Sequence, residues 1–129
     1  MKIIKKLSLL FVITLVLMGC SGENVRGIPG LERVIHCSIQ SSPLSAEVYW
    51  RVVSLTPEVR STNRFFLGRT PYRETRTLMI PGLSKENALH VSIVIEVEKN
   101  GFVTIVEKFN ALSLLGEPAL NMRVNLERN

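Results

Sequence analysis

Apolar and polar residues alternate along several short segments of this chain, and this alternation constrains the fold more than any other feature. In an extended strand successive side chains point to opposite faces, so a period of two predicts strands with one buried face. The segments are 33–40, 46–53, 64–67, 75–80, 89–97, 102–109 and 120–127. The sequence therefore predicts six or seven short strands.

The apolar side of each strand identifies the residues expected to form the core. Val94 is the one apolar residue on the outward side of segment 89–97. The inward set is Ile35, Cys37, Ile39, Ala46, Val48, Trp50, Val52, Leu89, Val91, Ile93, Ile95, Val97, Leu120, Met122, Val124 and Leu126. Strands with a single apolar face need a second sheet to cover it.

The breaks between the segments are typical of turns. Asn100-Gly101 lies between two strand-like runs and predicts a hairpin, with a positive φ at both turn positions. Residues 110–115 are compatible with one helical turn or with a strand edge, and no long amphipathic helix is present. We therefore expect an all-β fold, a small antiparallel β-sandwich, over residues 32–129.

Residues 1–19 have the pattern of a signal peptide. Lys2, Lys5 and Lys6 precede an apolar run over residues 7–18 that only Ser8 and Thr14 interrupt. That run is shorter than the roughly 20 residues that a transmembrane helix needs. We therefore expect this segment to be removed and to take no part in the fold.

The stretch Leu17-Met18-Gly19-Cys20 resembles the lipobox of bacterial lipoproteins. The resemblance implies acylation of Cys20, as with palmitate, and a membrane anchor for the protein. A secretory signal without a lipid is the alternative. Residues 20–31 then contain the lipidated cysteine and a flexible tether, of which the ten residues 21–30 span about 16–19 Å root-mean-square. In a bacterium with two membranes, Ser21 after the cysteine resembles the pattern of lipoproteins that are sent to the outer membrane and not kept at the inner one.

Removal of the signal changes the charge and the cysteine count. Three of the 16 Lys+Arg leave and no acid does, so the net charge falls from +5 to +2. A mildly basic exported protein is not expected to bind nucleic acid. If Cys20 is acylated, Cys37 has no partner for a disulfide and is expected to be a small buried apolar residue.

Four short motifs together resemble the PEGA domain. They are Ile39-Gln40-Ser41-Ser42-Pro43, Ala46-Glu47-Val48-Tyr49, Leu67-Gly68-Arg69-Thr70-Pro71 and Asn100-Gly101-Phe102. The resemblance covers about residues 34–109 and implies a small β-sandwich of bacterial envelope proteins, without a catalytic residue set. The chain departs from the family at 43–46, where only the first and last residues of its name motif remain, and at 53–66, which is longer.

Turn chemistry explains the glycine, threonine, proline and asparagine residues of these motifs without a ligand. Gly68 adopts backbone angles that other residues avoid, and Pro71 fixes its own φ and extends Thr70. We therefore interpret Gly68, Thr70, Pro71, Asn100 and Gly101 as structural turn residues.

The residues that enzymes use are scarce in this chain. It has no aspartate, no Gly-x-Ser-x-Gly motif and no glycine-rich phosphate loop. His36 and His90 are both predicted on outward faces, and Cys37 points away from His36, so no metal site is expected. Glu96 and Glu98 share a strand face, which is typical of a solvated edge. We predict no catalytic residues and no cofactor.

Arginine is concentrated in one part of the chain. Six arginines fall within residues 51–76, with two glutamates and no lysine. Guanidinium groups bind carboxylates and phosphates in bidentate fashion, so the segment is a candidate for binding an acidic partner. A solvated charged edge that prevents strand pairing is the preferred explanation. The candidate binding loop consists of Arg60, Arg64, Phe65, Phe66, Arg69 and Tyr72.

Three functions follow in order of preference. The first is a lipid-anchored, non-catalytic binding or structural module of the cell envelope, with an envelope protein or an acidic glycan as partner. The second is a small carbohydrate-binding module, which needs an exposed Trp or Tyr platform. The third is an enzyme, which needs His36 or His90 in a cleft beside a carboxylate.

Overall fold

The computed structural model describes residues 30–129, which form two β-sheets packed as a sandwich. The predicted signal peptide, Cys20 and the tether up to residue 29 lie outside the described residues. The strands are β1 (Glu32–Ser42), β2 (Glu47–Ser54), β3 (Phe65–Arg69), β4 (Tyr72–Met79), β5 (Val91–Glu98), β6 (Ile105–Asn110) and β7 (Ala119–Asn125). A 3-10 helix (Ala88–His90) precedes β5, and one α-helix, α1 (Ala111–Gly116), joins β6 to β7. Within this part of the chain, no helix has the length and apolar character needed to cross a membrane.

The strand order confirms the predicted all-β sandwich. One sheet has the order β4-β1-β7 and the other the order β3-β2-β5-β6. Every pair is antiparallel except β1 and β7, which run parallel. The parallel pair arises because α1 carries the chain from β6, in one sheet, to β7, in the other.

The core lies between the two sheets and contains most of the predicted inward residues. β1 and β7 bury every second side chain, as alternation predicts. Cys37 is buried with a free thiol, as expected. Trp50 is only partly buried and packs against the core from its edge.

The prediction was wrong for Leu89, which is 60% exposed. It lies in the 3-10 helix, and β5 begins two residues later at Val91. Buried Asn87 holds the preceding turn, because its side chain accepts a hydrogen bond from the Ser84 amide and donates one to the Gly82 carbonyl. Because this turn leads into the 3-10 helix, the extended backbone begins only at Val91, and the Leu89 side chain does not face the core.

Val94 lies on the outward side of β5 and is nevertheless buried. The register places it between Arg51 of β2 and Lys108 of β6. Long charged side chains cover apolar neighbours with their aliphatic stems while their charges stay in water. An apolar residue on the outer face therefore needs no second sheet to cover it.

The predicted hairpin joins β5 to β6, with a turn different from the one expected. Gly101 has a φ of +86°, whereas Asn100 does not have a positive φ. The Phe102 amide donates to the Lys99 carbonyl, and a positive φ at the third position alone is typical of a type II turn. Phe102 does not begin β6 and instead forms an isolated bridge with Arg128.

Thr70 joins two of the four places where the chain passes from one sheet to the other. β1 leads into β2 through residues 43–46, and β3 leads into β4 through Thr70 and Pro71. The Thr70 amide donates to the Ala46 carbonyl at 2.8 Å, and its carbonyl accepts from the Ser45 amide at 2.9 Å. Its hydroxyl accepts from the Ala46 amide at 2.9 Å.

The Thr70 hydroxyl also reaches Ser41 at the end of β1. The two hydroxyls are hydrogen-bonded, and Ser41 directs its own proton to the Pro43 carbonyl at 2.7 Å. Because a serine hydroxyl has one proton, Thr70 is the donor of the bond to Ser41. Ser41, Ala46 and Thr70 are all buried. The predicted turn residue Thr70 is therefore also a buried hydrogen-bonding centre.

Gly68 has a different role from the one expected. It does not have a positive φ. A Cβ atom at this position would lie 2.9 Å from Cδ1 of Tyr72, so glycine is needed for the close approach of that ring. The Tyr72 side chain is buried over Gly68 as a result.

We expect Thr70→Val to lower the free energy of unfolding by about 1–3 kcal/mol, because it leaves the buried Ala46 amide without an acceptor. Urea denaturation measures the change. Thr70→Ser keeps the hydroxyl and should restore part of the loss. Thr77→Val, on an exposed position of β4, is the matched control and should change stability by less than about 0.5 kcal/mol. Equal losses for Thr70→Val and Thr77→Val would contradict the role of the Thr70 hydroxyl.

Candidate functional site

The members of the candidate binding loop do not form one surface. Phe65 and Phe66 are both about half exposed, at 52% and 54%. The register places Phe65 opposite Trp50 and Phe66 opposite Tyr49, so the two rings lie on opposite faces of the sheet. A β-bulge between Val48 and Tyr49 shifts the register of this pair of strands.

Tyr72 is separated from the other members of the candidate loop. Its ring is 6% exposed and belongs to the core. Its hydroxyl accepts a hydrogen bond from Arg76 at 3.1 Å. Tyr72 therefore contributes packing at the corner of the sandwich and no exposed recognition surface.

Arg64 is held on the outer face of the four-stranded sheet. Its guanidinium contacts Glu98 at 2.9 Å and Glu96 at 3.2 Å. It also lies 3.9 Å above the centre of the Tyr49 ring, a cation–π contact. The Phe66 ring meets the same Tyr49 ring edge-on at 5.5 Å. This residue is therefore part of an internal network.

Two further arginines on this face are also ion-paired. Arg51 contacts Glu96 at 3.0 Å and Arg69 contacts Glu47 at 3.5 Å. The glutamates come from β2 and β5, so the sheet register supplies a carboxylate to each guanidinium. Arg60 differs, because it is exposed and has no ion pair among residues 30–129.

The electrostatics of the network favour its paired state. The hydrogen bond from Arg64 to Glu98 is the main cause that raises the pKa of Arg64. Burial against neighbouring atoms and the negative charge of Glu47 raise the pKa of Tyr49. Both shifts favour the charged guanidinium and the neutral phenol that the network contains.

We expect Arg64→Ala to lower the melting temperature, because it leaves Glu96 and Glu98 close together without their shared cation. Arg60→Ala is the matched control, since it removes an exposed arginine with no ion pair, and should leave the melting temperature near that of the wild type. Thermal unfolding followed by circular dichroism measures both. If the two variants melt at the same temperature, the network does not stabilise the fold.

A groove of about 770 Å³ lies between the two sheets, where the end of β4 faces β2 and β3. Trp50, Val52 and Phe65 line one side, and Met79 to Gly82 line the other. Glu58, Arg60 and Thr62 lie along it and supply its polar groups. Of the six residues of the candidate loop, Arg60 and Phe65 line the groove and the other four do not.

The groove is built by a close contact between two loops. Gly82 has a φ of +82°, and a Cβ at this position would lie 2.0 Å from the Glu58 carbonyl oxygen. Val59 is buried beside it, and Thr62 exchanges hydrogen bonds with Val52 of β2. These contacts pack the long segment between β2 and β3 onto the turn that follows β4.

A smaller cavity of about 90 Å³ also has Trp50 in its lining. Cys37, Leu67 and Leu78 are among its lining residues. Burial raises the pKa of the Cys37 thiol, and the nearby Arg76 charge opposes this effect. The thiol is therefore neutral and protected in the folded protein.

We expect iodoacetamide to alkylate Cys37 far more slowly in the folded protein than in urea, in a Cys20→Ala background that leaves one thiol. The raised pKa also predicts a pH dependence of stability. The thiol makes its full contribution to the free energy of unfolding below its unfolded pKa of about 8.5, and this contribution is lost as the pH rises through the folded pKa. Arg76→Gln should slow alkylation further, because it removes the charge that lowers the pKa. Equal native and unfolded rates would contradict the burial of Cys37.

The two histidines lie apart and outside any cluster of metal ligands. His36 is in β1 of the three-stranded sheet, where Nδ1 lies 3.1 Å from the Thr75 hydroxyl oxygen. His90 is exposed before β5 of the other sheet, so their strands are not neighbours. Among residues 30–129, no three His, Cys, Asp or Glu side chains group as metal ligands, and neither histidine forms an ion pair with a carboxylate.

Sequence reasoning did not identify the groove. Its walls come from segments 50–65 and 79–82, which meet only when the two sheets pack. Trp50 follows the alternation, so its face predicts a core position, and the sequence contains no signal of its partial exposure. Gly82 in the sequence gives no indication of its contact with Glu58.

Comparison with protein-family models, with curated proteins and with solved structures found no match to this chain. The resemblance to the PEGA domain therefore remains a prediction from the four motifs.

Proposed function

We propose that this protein is a lipid-anchored, non-catalytic module of the cell envelope that acts by binding or by structural support. The observation that carries the proposal is the stretch Leu17–Cys20 behind the apolar run of residues 7–18. In a bacterium with two membranes, Ser21 favours the outer membrane. The fold is compatible with this role, because residues 30–129 form a complete sandwich that begins ten residues after Cys20.

The distribution of arginines favours a particular part of the surface for any acidic partner. Arg51, Arg64 and Arg69 are already paired with glutamates of the sheet. A ligand carboxylate or phosphate would have to displace those partners. Arg60 has no such competitor among the described residues, so the groove beside it is the better candidate than the outer face of the sheet.

A carbohydrate-binding module is a weaker alternative on the positions of the aromatic rings. The chain has one Trp and two Tyr. Trp50 is partly buried, Tyr72 is buried, and the Tyr49 ring is covered by Arg64 on one side and by Phe66 at its edge. Sugar recognition on a platform requires a free face of such a ring, and each of these rings is already packed against protein.

We expect labelled palmitate to be incorporated into the wild-type protein and into Cys37→Ala, but not into Cys20→Ala. The thiol of Cys20 is the proposed site of attachment, whereas Cys37 is buried in the core. Expression in bacteria grown with the labelled fatty acid, followed by gel electrophoresis of the purified protein, measures the incorporation. Label on Cys20→Ala, or an unlabelled wild type, would contradict the anchor.

A further inference from the structure

The groove lies at the point where the chain enters the described domain. The Gly30 backbone is packed against residues that follow β4, because a Cβ there would lie 1.9 Å from the Ile80 carbonyl oxygen and 3.2 Å from Cα of Pro81. The next residue, Leu31, donates its amide proton to the Leu83 carbonyl. Ile80 and Pro81 both line the groove. The chain that leads from Cys20 therefore enters the domain at the rim of this groove.

The length of the connection limits how far the groove can be from a lipid on Cys20. Ten residue steps separate Cys20 from Gly30, and a fully extended chain covers at most about 36 Å in that number. This inference thus rests on the proposed anchor. Under that anchor, the groove side of the sandwich is the side tied close to the bilayer.

The side chains at this rim have the character of an interfacial surface. Phe65 of one sheet is 52% exposed and Met79 of the other is 44% exposed. They flank a groove whose exposed lining is mostly apolar and includes Trp50. Exposed apolar side chains beside a groove mark an interaction surface in a soluble domain. Aromatic rings with one apolar and one wet side are favoured at the boundary of a bilayer.

The charges of the groove are compatible with phospholipid headgroups. Arg60 is exposed without an ion pair among the described residues, and its guanidinium can bind a phosphate in bidentate fashion. Glu58 lies in the same groove and opposes an anionic surface. Since the two formal charges cancel, apolar contact would supply most of the attraction and Arg60 would select the headgroup.

We propose that the sandwich rests on the phospholipid bilayer through this groove, with Phe65 and Met79 at the acyl boundary and Arg60 at the headgroup phosphates. The lipid on Cys20 and the groove then act as two membrane contacts on the same side of the molecule. The outer face of the four-stranded sheet, with Phe66 and the paired arginines, is directed elsewhere.

Trp50 allows a direct test, because it is the only tryptophan of the chain and lines the groove. The mature lipidated protein is reconstituted in vesicles of phosphatidylethanolamine and phosphatidylglycerol that carry a nitroxide on part of their acyl chains. Trp50 fluorescence should be quenched in the wild type. Phe65→Glu and Met79→Glu should lose this quenching, because a carboxylate at the rim opposes contact with the acyl region.

Phe66→Glu is the matched control. It introduces the same charge at the adjacent residue, which is equally exposed but lies on the opposite face of the sheet. It should keep the quenching of the wild type. Circular dichroism and urea denaturation of each variant establish that it is folded before its fluorescence is compared.

The proposal is overturned if Trp50 of the wild type is not quenched, or if Phe65→Glu and Phe66→Glu behave alike. If Trp50 is not quenched although the protein is anchored, the groove does not contact the bilayer and a protein or glycan partner becomes the better candidate. Failure of the anchor is a separate result, since mass spectrometry of the purified protein would then show no lipid on Cys20. In that case, coupling the mature chain through Cys20 to a maleimide phospholipid allows the same quenching measurement.

Discussion

The hydroxyl and backbone of Thr70 connect the two corners on which the sandwich depends. One corner takes β1 of the three-stranded sheet into β2 of the other, and the second brings β3 back into β4. Thr70 bonds to Ser41 and Ala46, which are buried, and to Ser45, which is exposed. Water cannot replace the bonds to Ser41 and Ala46, so each of those groups, if unpaired, would carry its full desolvation penalty. The two crossings are therefore fixed relative to each other by one side chain.

This corner determines the position of the surfaces that matter for binding. It aligns β3 with β2, and the alternation of side chains along β3 directs Phe65 and Phe66 to opposite faces. On the outer face, Arg64 and Phe66 enclose Tyr49. On the other side, Phe65 joins Trp50 at the groove, with ring centres 6.0 Å apart. Two adjacent phenylalanines thus have unrelated environments.

The arginine-rich segment shows why charge along a sequence is a poor guide to charge on a surface. Its six arginines are close in sequence, but the acids that neutralise three of them come from β2 and from β5. Those acids lie up to 45 residues away in the chain. Pairing is decided by the register between strands, which places Glu96 beside Tyr49 and Glu98 beside Glu47. Three arginines of the segment become part of an internally compensated face, and Arg60, Arg73 and Arg76 are left without an ion pair among the described residues.

The alternation of the sequence predicted the sandwich and most of the core, because a strand with one apolar face has few other ways to bury it. It located β1, β2, β5 and β7 to within a few residues. It failed at Leu89, where buried Asn87 ends the pattern. It also could not show the parallel pairing of β1 with β7, which depends on the path of α1 across the sandwich.

The sequence by itself determined the all-β class and the burial of Cys37. Both depend on local periodicity. Only the tertiary structure decided which arginines are paired, that Tyr72 packs over Gly68, and that a groove opens beside Gly30. The physical reason is that ion pairs, close ring contacts and grooves each require atoms from segments far apart in the chain. Their positions exist only after the sheets have packed.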